Sequence, residues 1–239
     1  MKCRFTFSEL LFVIGMSAVL LTVTLPLVSG EQQQALADHC RNNLKQSAQA
    51  MTAYSADNNG YFLIYRHDPE SYRQKKSHVT WGFWMTELKY LDNGNVLVCP
   101  AGTPDGVSSK NNRFQLYTYG VLVNSTMMPF YRATEDRNLR VWVGAKTTPE
   151  QTLLLVDSLD PANGKQSYNY HFAFGTGPVA QQRHDDGIHA ATVSGAVPSL
   201  MPGGFAQHLA ADCRRAAKKP PQATYADASG QLQQIAIPY

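Results

Sequence analysis

Several residues of this chain have the types and spacing that do chemistry. In RHDDGIH, His184 and His189 flank Asp185 and Asp186, so imidazole and carboxylate donors of the kind that bind metal ions sit close together. If the chain from Ile188 onward is a strand, its side chains alternate and the two histidines should diverge. The simpler expectation is a turn at Asp185-Asp186-Gly187, with no metal assigned to these residues. Asp92-Asn93-Gly94-Asn95 and residues 157–163 are oxygen-rich loops that could offer Ca²⁺ ligands, or could be ordinary Asx turns. No other cofactor is expected. The sequence carries neither a Gly-x-Ser-x-Gly elbow nor a recognisable carboxylate pair, and the chain is not expected to be an enzyme. Glu9 is different in kind: it stands one turn into an apolar run, where a carboxylate at the centre of a membrane helix costs roughly 2.5–3.5 kcal/mol.

The elements that must carry these residues begin with that run. From Leu10 to Val28 there is no charge, only Gly15, Ser17, Thr22, Thr24 and Pro26 among apolar residues, and the length is enough to cross most of a bilayer core of roughly 30 Å. Lys2 and Arg4 precede it and no basic residue follows until Arg41, which would leave the N-terminus cytoplasmic and export the body. A cleavable signal ending near Val28-Ser29-Gly30 would want a shorter core. A plain signal anchor accounts for the length but leaves Glu9 unexplained. The 239 residues carry only 16% charged side chains and a net charge of +3, too little to suggest a nucleic-acid partner. The densest basic stretch, RRAAKK from Arg214 to Lys219, reads as solvated surface.

The stretch RFTFSELLFVIGMSAVLLTVTLPLV resembles the N-terminus of type IV pilins and of the pseudopilins of type II secretion. The resemblance implies cleavage by a prepilin peptidase between Arg4 and Phe5, with methylation of the new Phe5 amine. Arg4 stands where that family usually has Gly. Counted from Phe5, Glu9 and Pro26 fall where the family has its assembly glutamate and its helix-kinking proline. The implied role of Glu9 is to meet the terminal amine of a neighbouring subunit, so that two costly groups neutralise each other on assembly. A second resemblance, to prepilin-like proteins with a histidine-x9-Asp-Gly domain, rests on CRNNLKQSAQAMTAYSADNNGYF, WGFWMTELKYL, VLVCP, PEQTLLLVDS and RHDDGIHAATVSGAV. In its name-giving motif His184 is present, and Ser194-Gly195 replaces the Asp-Gly. Cys3 would leave with the leader, and Cys40 and Cys99 occupy the matched positions, so the resemblance implies a bridge between them; Cys99 with Cys213 is the alternative.

Past Gly30 the pattern turns amphipathic, with Leu36, Cys40, Leu44, Ala48, Met51 and Tyr54 forming a stripe that ends at Gly60. Strands are expected at 61–65, 114–123, 139–144, 152–156, 168–174, 188–193 and 232–237, and helices after Thr80 and over 205–219. The expected fold is α+β: one long N-terminal transmembrane and amphipathic helix packed on a small antiparallel sheet. Its parts are a leader (1–4), a transmembrane half (5–29), an amphipathic half (30–58), a periplasmic body (59–199) and an extension (200–239). The resemblance implies a structural subunit of a pilus-like or secretion filament, anchored in the inner membrane by a single pass. Its partners would be prepilin peptidase, other pilin-like subunits and a membrane assembly platform. The alternative is an anchored or secreted binding protein, for example for glycans, that keeps only the targeting segment.

Overall fold

The computed structural model describes residues 6–66, 79–102, 117–122, 131–133, 139–143, 148–173, 177–215, 217 and 219–239. The chain forms two compact units, Met1–Asp38 and His39–Tyr239. Helix α1 spans Phe7–Asp57. It starts with a capping box that Thr-Phe-Ser-Glu encodes: Glu9 Oε2 accepts from Thr6 N at 2.8 Å and Thr6 Oγ1 at 2.7 Å, and Thr6 Oγ1 faces Glu9 N at 3.4 Å. It ends where Asn59 (φ 54°) and Gly60 (φ 80°) turn left-handed and Gly60 N donates to Ser55 O at 2.8 Å.

In the first unit, the large apolar side chains described between Phe7 and Val19 are open to solvent, Phe7 at 77% exposed and Val19 at 65%. Leu10 to Ile14 are consecutive and all more than half exposed. Five consecutive helical residues cover the full circumference, so this stretch has no polar face.

In the second unit, the stripe Cys40, Leu44, Ala48, Met51 and Tyr54 is buried. Two polar anchors lock the same face: Asn43 Nδ2 donates to Val98 O at 2.9 Å and Ser47 Oγ to Val96 O at 2.8 Å. Strand β1 (Tyr61–Arg66), β2 (Val79–Thr80), β4 (Tyr131–Ala133) and β5 (Leu139–Val143) make an antiparallel sheet in the order β2-β1-β5-β4. Helix α2 (Trp81–Glu87) follows β2 directly and buries Trp81 and Met85. Thr80 is its N-cap in extended conformation, without a side-chain capping bond.

The remaining strands form small sheets. β6 (Leu153–Val156), β10 (Ile188–Thr192) and β11 (Ser199–Leu200) pair antiparallel in the order β11-β10-β6. Every residue of β6 and β10 is buried, as expected of strands covered on both faces. β7 (Ser158–Leu159), β9 (Val179–Gln181), β12 (Gln222–Ala226) and β13 (Leu232–Ala236) are ordered β13-β12-β9-β7, with β12 parallel to β9. β3 (Val121–Leu122) and β8 (Asn169–Tyr170) form a parallel pair. Helix α3 (Pro202–Arg215) buries Phe205, Leu209 and Cys213.

This architecture corrects the expected one. Among the described residues no helix is long and apolar enough to cross a membrane. The transmembrane half, the single-pass inner-membrane placement and the membrane and pilin assignments tied to it are therefore overturned. A long apolar helix over one antiparallel sheet is also replaced by several small sheets, two of which contain parallel pairs. The expected strand at 114–123 is reduced to Val121–Leu122 in its described part, and residues 103–116 lie outside the described ones.

Candidate functional site

Four chemically active side chains meet inside the second unit. Cys40 comes from α1, and Cys99 follows a 3₁₀ turn at Gly94–Leu97. Asp157 joins β6 to β7, and His184 sits in the turn that leads into β10. All four are buried, and one ligand atom from each lies within 4.8 Å of all the others. Cys99 Sγ is 3.2 Å from His184 Nε2. Both cysteines are free thiols in this structure, as is Cys213.

A second layer of contacts fixes each member. Asp157 accepts from Arg183 Nε at 3.0 Å and 3.2 Å and from Gln166 Nε2 at 2.9 Å. The same Gln166 accepts from Cys99 N at 3.0 Å through Oε1, so one amide orients both ends of the pair. Tyr119 Oη donates toward Cys40 O at 3.1 Å and Cys40 Sγ at 3.4 Å. The His184 ring stacks on His189 at 4.3 Å and 15°. His189 Nε2 is 2.8 Å from Asp186 Oδ1, and Arg41 Nη1 donates to Asp186 Oδ2 at 2.6 Å. Two glycines make room. A Cβ on Gly102 would stand 2.8 Å from Arg183 Cζ, and one on Gly187 (φ 129°) would stand 2.7 Å from Leu200 O.

Burial dominates the electrostatics. It pushes the Cys99 thiol far above its ordinary range, with Cys40 and Asp157 adding to the rise and His184 opposing it. Tyr119 is raised by burial and then by the sulfur of Cys40. Burial alone would lower Arg183, yet Asp157 holds it above its usual value. A protonated thiol is a weak nucleophile, and two sulfurs, an imidazole and a carboxylate are a donor set that suits coordination.

The structure places the sequence-derived candidates as follows. The expected divergence of His184 and His189 is overturned, because His184 lies in a turn bridged to Gly187 and only His189 belongs to β10. Cys40 and Cys99, expected to bridge, do come together, while Cys213 is buried in α3, where burial above all lifts its thiol to about 11. Ser194 and Gly195 form the turn after β10: Ser194 Oγ bonds Thr192 Oγ1 at 2.9 Å, and Gly195 N donates to Thr192 O at 2.9 Å. Within the oxygen-rich loops Asn93 Oδ1 accepts from Asn95 N, and Asp160 from Ala162 N and Asn163 Nδ2, as in Asx turns, while Asp157 faces Arg183 and Gln166. Glu9 caps α1, and the Thr6 bonds, backbone first, hold its carboxyl below the usual range. Pro26 lies within α1, which continues through it, and Arg4 and Phe5 lie outside the described residues. Asp157, Arg183, Gln166 and Tyr119 carry no local sequence signal for their meeting, since residues from distant segments converge only in the fold.

An open groove of about 380 Å³ lies elsewhere on the second unit, lined by Gln46, Gln49, Tyr90, Asp92 and Asn93 among others. Comparison with known proteins adds no relative: no family model matches the chain, and no curated protein or solved structure matches it.

Proposed function

We propose that the chain is a non-enzymatic structural subunit that assembles into a filament through the N-terminal stretch of α1. One observation carries this reading: large apolar side chains from Phe7 to Val19 are exposed around a whole turn of helix. A contiguous apolar surface of that kind marks an interaction site. Small residues at Gly15 and Ser17 suit close helix–helix approach; no atom lies within 4 Å of a Cβ at Gly15, and Ser17 Oγ is satisfied by Val13 O at 2.7 Å. The occupant of the surface is a second copy of this helix.

The test is sedimentation and electron microscopy of the full chain beside Phe12→Asp. Assembly of the wild type and its loss in the variant, with the unfolding midpoint unchanged, is the expected result. A wild type that stays monomeric at high concentration, or a Phe12→Asp chain that assembles equally well, sinks the reading. A binding body is the second reading, and the polar groove beside Tyr90 favours it.

A further inference from the structure

We infer that Cys40, Cys99, His184 and Asp157 form a closed structural site for a borderline-soft divalent cation, Zn²⁺ in first place. Two sulfurs, an imidazole nitrogen and a carboxylate oxygen all lie within 4.8 Å of one another. A zinc tetrahedron built with about 2.3 Å to sulfur and about 2.0–2.1 Å to nitrogen or oxygen has edges of roughly 3.3–3.8 Å. The Cys99 to His184 edge, at 3.2 Å, is already near that length. The donors come from four separate parts of the chain, so a single ion would tie α1, the segment after the 3₁₀ turn, the β6–β7 junction and the turn before β10 to one point.

Three further observations favour an ion over a simple thiol pair. The surroundings are those of an outer coordination layer: Gln166 and Arg183 orient the carboxylate, Tyr119 Oη points at the Cys40 sulfur, and His189 holds the His184 ring face to face. The charges also close. Two thiolates and one carboxylate exceed a dication by one negative charge, and the Arg183 guanidinium, 3.0 Å from Asp157 and only 11% exposed, supplies the missing positive one. Finally, a disulfide would occupy both sulfurs and give His184 and Asp157 no reason to converge on them. Coordination releases the two thiol protons to solvent and leaves no open position, so the role is structural and not catalytic.

The inference is independent of the filament reading and is tested without assembly. Full-length protein from cells grown with added zinc, and separately with added cobalt, is purified and its metal content measured by mass spectrometry. The expected result is one ion per chain. The cobalt form should show the intense visible bands of tetrahedral Co²⁺ and thiolate-to-cobalt charge transfer in the near ultraviolet. His184→Gln and Cys99→Ser should lose the ion, and Cys213→Ser should keep it. If Cys99→Ser does not fold, the wild-type cobalt spectrum still decides. A metal-free wild type with Cys40 and Cys99 joined in a disulfide overturns the inference. So does bound cobalt with weak octahedral bands and no thiolate transition.

Discussion

Two stretches of one helix treat their apolar residues in opposite ways. Between Phe7 and Val19 the described apolar side chains are exposed on all sides, and between Cys40 and Tyr54 one stripe is buried while Asn43 and Ser47 lock the same face. Both are apolar-rich and both are helical, so propensity does not separate them. What separates them is period. The later stretch spaces its apolar residues at three and four, which gives one face to a core, and the earlier stretch is apolar at every position from Leu10 to Ile14. A helix with a single apolar face is satisfied by its own chain. A helix without a polar face leaves apolar surface that its own chain does not cover.

The contrast can be broken or sharpened by substitution. Asp157→Asn should act most strongly on the body, since it strands the buried Arg183 guanidinium; a loss of about 3–5 kcal/mol in denaturant unfolding is expected. Leu44→Ala, at a fully buried stripe position, should cost about 2–5 kcal/mol by the same measurement. A change as small as that of a surface substitution would mean that the stripe is not the helix's anchor. Glu9 sharpens the other side. Gln can replace Glu in a capping box, so Glu9→Gln should preserve the helix start seen by hydrogen exchange while removing the charge. If assembly survives Glu9→Gln and fails with Glu9→Ala, Glu9 is a cap; if both abolish it, the charge itself is needed between subunits.

The smallest expected effect is a pH dependence in the β12–β13 hairpin. Ser229 first, then Gln233, with the backbone of Gln231 and Ser229, holds the Asp227 carboxyl below its ordinary 3.8. A lowered folded pKa gives stability that is present above the unfolded value and lost as pH falls through the folded one. Acid titration of the hairpin amides should therefore show weakening below about pH 4, and Asp227→Asn should flatten that limb.

Periodic signals made much of the body legible. The stripe from Cys40 to Tyr54 and the strands at 61–66, 139–143 and 188–192 follow from spacing and β-branched content. β9 and β12 did not stand out, because VAQ and QATYA are short and β12 pairs in parallel with a distant partner, which no local turn announces. The uncharged run from Leu10 to Val28 predicts a membrane span, and among the described residues no helix qualifies as one. Thr-Phe-Ser-Glu also spells a capping box, which gives Glu9 a local role beside its charge. At the buried cluster only the meeting of the two cysteines was anticipated. Asp157 looked like a loop ligand and His184 like part of a turn, because their shared surroundings are set by chain segments far apart in sequence.

The parallel pairing of β12 with β9 has a consequence for synthesis. β9 sits between β7 and β12, so its second edge stays open until residues 222–226 have left the ribosome. By then the apolar start of α1 has long been outside. Until then a growing chain carries two adhesive surfaces at once, and the emergence of β12 removes one of them. A chain truncated before Gln222 and released from the ribosome should aggregate faster than the same chain carrying β12. Equal aggregation rates would show that the open strand edge is harmless.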